Sequence, residues 1–98
     1  MPQFAQMQSE LGRASQLLKA MASPNRLMLL CLLADRERSV GALADELGLR
    51  QATVSQHLAR LRQHGLVATR REAQTVFYSI ADDATADVIG VLHAHFCA

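Results

Sequence analysis

The chain has 98 residues, of which 50% are hydrophobic and 19% are charged, with a formal net charge of +1. This length favours one compact domain, and the composition excludes wholesale disorder. The longest unbroken apolar run, 27–34, is far shorter than the about 20 residues of a membrane-spanning helix. Since the amino end also carries no visible secretion signal, we expect a soluble cytoplasmic protein.

The first part of the chain predicts two helices. Apolar residues recur there at spacings of three and four, which is typical of one face of a helix over about residues 3–21. The members of this seam are Phe4, Met7, Leu11, Ala14, Leu18 and Met21. Ser23 and Pro24 then suit the N-cap and first position of a second helix. Because residues 27–33 are apolar almost all round, we expect this second helix to be central.

Two shorter helices follow over about residues 39–64. Ser39 is the N-cap of the first, and Gly48 suits the left-handed residue that ends it. The inward residues are Val40, Leu43, Ala44 and Leu47 in the first helix and Val54, Leu58 and Leu61 in the second. Two short helices joined at Gly48 and Leu49 predict a helix-turn-helix.

A β-hairpin and a last helix complete the predicted fold. Two β-prone runs flank residues 72–74, so we expect a hairpin wing over about 66–80, although its turn lacks an Asn-Gly or Asp-Gly pair. Asp82 and Asp83 suit the start of a last helix over about 82–96. The chain is therefore predicted to be mainly α with a small β-hairpin, forming a single winged helix-turn-helix domain over 1–98.

The charge distribution indicates a surface for a polyanion. Between Leu49 and Arg71 there are five arginines and no acidic residue, which leaves a charge of −4 on the rest of the chain. Gln can pair with adenine, Ser and Thr bind bases or phosphates, and Arg binds phosphates or enters the minor groove. The expected contacts with double-stranded DNA are Gln51, Thr53, Ser55, Gln56, Arg60, Arg70, Arg71 and Gln74.

The sequence favours DNA binding over three other interpretations: a solvated helical hairpin, a protein-binding module and an enzyme. A solvated helical hairpin usually mixes charges of both signs on its surface, which the acid-free segment does not. A winged helix that only binds proteins remains an alternative, and its affinity would ignore salt. No pair of nucleophile and base, glycine-rich phosphate loop or carboxylate pair stands out, so we expect no enzymatic activity and no cofactor.

Several segments resemble the ArsR-type winged-helix transcriptional regulators: 22–27, 43–49, 52–61, 65–67 and 76–80. The stretch from Thr53 to Leu58, with the exit at 65–67, is fairly specific to them. The resemblance implies a homodimer formed through the first and last helices. It also implies that the dimer occupies an operator until an inducer makes it dissociate from the DNA. It implies repression, while activation by displacing another repressor remains open.

The same resemblance narrows the choice of inducer. One family metal site uses closely spaced cysteines on the helix here at 40–47, which has neither Cys nor His. Another binds zinc on the last helix, where Asp82 and His95 match two ligands but Ala84 and Ala98 fill the other places. We therefore expect no metal site and keep metal sensing as an alternative.

Cys31 and Cys97 resemble the cysteine pair of the persulfide- and redox-responsive subgroup, in which the two become linked and operator affinity falls. The alternative is that Cys31 is a small core hydrophobe and the terminal cysteine incidental. We expect reactive sulfur species or another oxidant as the inducer. Burial should make the Cys31 thiol reluctant to ionise, which leaves Cys97, near His93, as the expected first nucleophile.

Overall fold

The computed structural model describes residues 2–97 as five α-helices, a terminal π-helical turn and three short strands. The helices are α1 (Pro2–Met21), α2 (Pro24–Leu32), α3 (Val40–Leu47), α4 (Gln51–Gln63) and α5 (Asp83–Leu92), and the π turn is His93–Cys97. The strands are β1 (Arg38–Ser39), β2 (Val67–Glu72) and β3 (Thr75–Ile80), in one antiparallel sheet of order β1-β3-β2. The predicted mainly helical fold with a β-hairpin is confirmed.

The core is aliphatic and forms where α2 packs against α3, α4 and α5. Its fully buried large side chains are Leu29, Leu30, Leu43, Val54, Leu58, Leu61, Leu66 and Ile89. Burying each of these stabilises the fold by about 1.5–3 kcal/mol relative to an exposed side chain. The three buried residues of α4 are the three predicted to face inward, and they fix which side of α4 remains outside.

Local capping sets the helix ends at the places that the sequence predicts. Ser23 Oγ accepts a hydrogen bond from the Arg26 amide at 3.3 Å, and Ser39 Oγ accepts one from the Ala42 amide at 3.1 Å. Gly48 ends α3 with a φ of 66°, in the left-handed region where a side chain is unfavourable. This break turns the chain from α3 into α4.

Two features of the fold are not predicted, and one expectation is too broad. The strand β1 is not predicted, because its two residues carry no β signal of their own and form a strand only by pairing with β3. Met21, the last residue of the seam of α1, is only 3% exposed, so α1 ends inside the core. The second helix is not wholly central, since Met28 is 49% exposed. Among the described residues, no helix has the length and hydropathy needed to cross a membrane.

The wing is a regular hairpin with an unusual turn residue. β2 and β3 pair from Val67 opposite Ile80 to Glu72 opposite Thr75, which leaves Ala73 and Gln74 as a two-residue turn. Ala73 has a φ of 54°. A left-handed residue with a Cβ costs about 1–2 kcal/mol relative to its ordinary conformation, and glycine would avoid this cost.

Replacing Ala73 by Gly is expected to raise the free energy of unfolding by about 1 kcal/mol, because glycine adopts this φ without strain. Denaturant unfolding at fixed protein concentration measures the change. Ala68→Gly is the matched control: Ala68 is also exposed but lies within β2, where glycine weakens a strand. Equal destabilisation by both substitutions would contradict the strain at Ala73.

Candidate nucleic-acid interface and cysteine pair

The outward side of α4 is polar and carries no acidic residue. Gln51, Ser55, Gln56 and Arg60 are exposed, whereas Thr53 is half-buried. The helix begins after Arg50 without a side-chain cap, so its first amides stay available to an anion. The predicted contact residues of α4 thus share a surface that can donate hydrogen bonds, with Thr53 the least accessible.

A cleft of about 430 Å³ separates the start of α3 and α4 from the wing. Its lining residues are Ser39, Val40, Gly41, Gln51, Ser55, Gln74, Thr75 and Val76. The cleft brings together three predicted contacts, one of them on the wing. Sequence reasoning missed the hydroxyl of Thr75, because only the sheet register places it beside α4.

The two wing arginines have different surroundings. The Arg70 guanidinium binds the Glu37 carboxylate through Nε at 3.1 Å and through Nη2, and it binds Glu72 Oε2 through Nη1 at 3.0 Å. It also lies 4.8 Å from the centre of the Phe77 ring. These hydrogen bonds lower the pKa of Glu37 and raise the pKa of Arg70. Within the described residues, Arg71 forms no ion pair and is exposed.

The structure also brings the two cysteines together, although 66 positions separate them in the chain. Cys97 Sγ donates to Cys31 Sγ across 3.3 Å, and both are free thiols. Cys31 is half-buried on α2, and Cys97 is exposed in the π turn. Burial, and then the contact with Cys97, raises the pKa of Cys31 to about 11. The prediction that Cys31 resists ionisation is therefore confirmed.

Alkylation should distinguish the two thiols. At pH 8 a thiol with a pKa of about 11 is ionised in about one molecule in a thousand, and the thiolate is the reactive form. We expect iodoacetamide to modify exposed Cys97 first, and the rate at Cys31 to rise about tenfold per pH unit between pH 8 and 10. Peptide mass spectrometry follows each site, and unfolded protein is the control. Faster labelling of Cys31 than Cys97 at pH 8 would contradict this assignment.

The residues weighed for a metal have other surroundings. Asp82 caps α5, where its Oδ2 accepts from the Thr85 hydroxyl at 2.8 Å and from the Thr85 amide at 3.1 Å. These bonds lower the pKa of Asp82. Residues 2–97 contain no group of three or more His, Cys, Asp or Glu side chains placed to hold a metal ion. Ala98, which fills one of the places of the family's zinc site, lies outside the described residues.

A helix-turn-helix with a β-wing and an acid-free second helix defines a winged-helix DNA-binding regulator of transcription. Residues 23–69 match the family model of the bacterial regulatory proteins of the arsR family. The chain belongs to the ArsR family.

Relatives and solved structures agree over nearly the whole chain. The chain is 49% identical over 92 residues to the transcriptional activator HlyU of Vibrio cholerae, covering 94% of this chain and 85% of HlyU. The structure of reduced HlyU matches with a TM-score of 0.91 and 48% identity, over 95% of this chain and 98% of that one. The biofilm growth-associated repressor of Agrobacterium fabrum is 49% identical over 92 residues, 94% of this chain and 79% of the relative.

A third similarity is to the homodimeric winged helix-turn-helix domain Mb0332 of Mycobacterium bovis. It has a TM-score of 0.80 and 34% identity, over 90% of this chain and 82% of that one. The matched proteins are regulators, and this chain is a DNA-binding transcriptional regulator, not an enzyme.

Proposed function

We propose that the protein is a homodimeric repressor that holds operator DNA while its two cysteines are free thiols and releases it when they become linked. The observation that carries this proposal is the 3.3 Å distance between Cys31 Sγ and Cys97 Sγ. Two thiols in contact, one half-buried and one exposed, are the arrangement that a resolving and an attacking cysteine require.

The proposed DNA interface consists of the outward face of α4 and the wing. α4 enters the major groove, where Gln51, Ser55 and Gln56 reach base edges and Thr53 contributes its hydroxyl at closer range. Arg60 binds the phosphate backbone. Gln74 at the tip of the wing contacts the duplex next to the groove, and the wing arginines Arg70 and Arg71 provide positive charge beside it.

The proposed dimer explains the apolar surface of the chain. Exposed large apolar side chains lie on α1, α2, α5 and the π turn: Phe4, Met7, Leu11, Leu18, Met28, Val91 and Phe96. A radius of gyration of 14.6 Å exceeds the about 13 Å of a compact domain of this size. Monomeric proteins rarely leave such faces uncovered, and the similar Mb0332 domain is homodimeric. We propose that α1 and α5 meet their counterparts in a second copy.

The linking chemistry uses a persulfide donor or a comparable oxidant. The Cys97 thiolate attacks the outer sulfur of a donor RSSH and displaces RS⁻, leaving Cys97 as a persulfide. The Cys31 thiol then loses its proton, and the resulting thiolate attacks the inner sulfur on Cys97 and displaces hydrosulfide. The products are one disulfide, the thiol RSH and one H₂S, and the protons from the two cysteines go to the two released anions. The high pKa of Cys31 makes the second step the slower one at neutral pH.

The length of the link decides how the helices move. An S–S bond of about 2.05 Å would draw the two sulfurs about 1.3 Å closer than the 3.3 Å at which they stand, whereas one additional sulfur atom between them would leave that distance about the same. The direct disulfide therefore displaces the π turn relative to α2. Because paired recognition helices must match half-sites about one helical turn of DNA apart, a shift in the proposed interface weakens binding.

A second contact relates the cysteine site to the wing within one chain. Arg38 Nε, in β1, donates to the carbonyl oxygen of Leu32 at 2.6 Å, one residue beyond Cys31. β1 in turn pairs with β3 of the wing. A displacement at the end of α2 therefore acts on the sheet that carries Gln74 and the wing arginines.

We propose that the protein lowers transcription when it binds its operator. A promoter experiment distinguishes repression from activation. HlyU is described as an activator and the Agrobacterium relative as a repressor, although both are 49% identical to this chain. An activator of this fold would act by displacing another repressor. In a purified transcription reaction with polymerase, a repressor lowers the transcript from an operator-bearing promoter, whereas a displacing activator has no effect until the other repressor is added.

The operator experiment tests the whole proposal. A duplex of about 30 base pairs, long enough for two half-sites, is selected from a random library by the reduced protein. Titration at 50 and 200 mM salt should show a loss of affinity on the order of a thousandfold for about six phosphate contacts. A persulfide donor should then join Cys31 to Cys97, seen by mass spectrometry, and release the duplex. Unchanged binding by fully linked protein would refute the switch, and salt-independent binding would refute the DNA interface.

A further inference from the structure

We infer that Arg70 is a positioning residue of the wing, held in place by Glu37, and that Arg71 is the wing arginine that contacts DNA. This inference rests on the proposed DNA interface. It assigns different roles to two adjacent arginines that the sequence alone does not distinguish.

All three guanidinium nitrogens of Arg70 already donate a hydrogen bond within the protein. Nε and Nη2 bind the two oxygens of Glu37, while Nη1 binds Glu72. The planar guanidinium fits a carboxylate with two parallel hydrogen bonds, which a more flexible ammonium cannot reproduce. A DNA phosphate would have to displace both carboxylates, and these carboxylates would repel it.

The Arg70 side chain joins two strands of the sheet to the segment that precedes the third. It starts on β2, crosses the ring of Phe77 on β3, and ends on Glu37, which immediately precedes β1. Phe77 is the register partner of Arg70 on one side and of Ser39 on the other. Since Glu37 lies 33 positions from Arg70, this contact attaches the wing to the segment between α2 and α3.

Arg71 lies on the other face of the sheet. Successive residues of a strand point to opposite faces, and residues directly opposite in register share a face. Arg71 is opposite Val76 and lies on the same face of β2 as Val67. Val67 is buried in the core together with Leu58 and Leu61 of α4. The register therefore puts Arg71, which has no acidic partner among the described residues, on the side of the wing that faces α4.

Salt dependence of DNA binding separates the two roles. Reduced wild type and single variants are titrated with the selected duplex from 50 to 300 mM salt. Arg71→Gln should weaken binding and lower the slope of log affinity against log salt by about 1.8, since a dimer loses two phosphate contacts. Arg70→Gln and Glu37→Gln should each weaken binding by about 2- to 30-fold with the slope unchanged.

Two further variants test the positioning role directly. Arg70→Lys keeps the charge but loses the paired hydrogen bonds, so it should behave like Arg70→Gln. The double variant Glu37→Gln with Arg70→Gln should bind no more weakly than Arg70→Gln alone, because Arg70→Gln already removes the contact with Glu37. All five proteins remain comparable in fold, since Glu37, Arg70 and Arg71 are exposed.

Three results would contradict the roles assigned to Arg70 and Arg71. A slope reduced by Arg70→Gln as much as by Arg71→Gln, or full rescue by Arg70→Lys, would overturn the inference. Stronger binding with a steeper slope in Glu37→Gln would also overturn it, because it would show that Glu37 withholds Arg70 from DNA. If wild-type protein selects no duplex at all, the proposed DNA interface itself fails, which is a distinct outcome.

Discussion

Replacing Cys97 by Ser is expected to abolish the response to a persulfide donor while leaving operator binding by the reduced protein unchanged. Linking of the thiols in the wild type should weaken binding about 5- to 150-fold, the range given by a coupling of about 1–3 kcal/mol. The serine hydroxyl preserves the approximate size of the side chain but provides no attacking sulfur. Fluorescence anisotropy of the selected duplex, with intact mass measured on the same sample, checks both parts.

Cys31→Ser is the matched variant, and it separates modification from linking. Its Cys97 should still gain sulfur, because the first attack needs only the exposed thiol, yet its affinity for the duplex should not fall. A Cys31→Ser protein that releases DNA on modification would show that sulfur on Cys97 suffices. The contact with Cys31 would then have no part in the switch.

Replacing Leu11 by Glu is expected to separate the dimer and to lower operator affinity by about 100-fold or more, since two linked half-site contacts become independent. Leu11 lies in the middle of the apolar seam of α1 and is 59% exposed in the single chain. A carboxylate there would lose its hydration on assembly without gaining a partner. Sedimentation velocity measures the assembly, and anisotropy with the selected duplex measures binding.

Ser9→Glu provides the control for Leu11→Glu, because it introduces the same charge on the same helix. Ser9 is exposed and lies about 180° around α1 from the apolar seam, because successive residues of a helix are about 100° apart. It should leave both assembly and affinity at wild-type values. A dimer that survives Leu11→Glu would place the interface elsewhere on the chain.

Local features were predicted well because local chemistry determines them. Ser23, Ser39 and Asp82 cap helices within three residues of their own position, and Gly48 ends α3 through its own φ. The inward residues of α3 and α4 follow from helical spacing in the same way. Each of these depends on neighbours that a sequence window contains.

The features that escaped prediction depend on distant parts of the chain. No residue near Arg70 in the sequence indicates that Glu37 is its partner. The segment 49–71 contains no acidic residue, yet in the fold Arg70 forms an ion pair with Glu37 from outside this segment. Met21 joins the core through residues that are distant in the chain, among them Leu58 and Leu61 of α4. The strand β1 exists only through its pairing with β3.

The cysteine pair lies between these two cases. The family resemblance indicated it, but no spacing argument brings together residues 66 positions apart. In the fold, packing between α2 and α5 does so: Leu29 and Leu30 are buried with Ile89 in one core, and the π turn continues α5 back past Cys31. The proximity is a property of the core, which explains why the thiols meet without a motif of their own.

Phe96 and Cys97 are consecutive residues of one turn, and Phe96 is 81% exposed. If Phe96 packs against a second copy, the oxidation equilibrium of the thiols and the monomer–dimer equilibrium share a segment and must be thermodynamically linked. The midpoint potential of the cysteine pair should then vary with protein concentration. A cell that makes more of this protein would thereby alter the threshold at which it reacts.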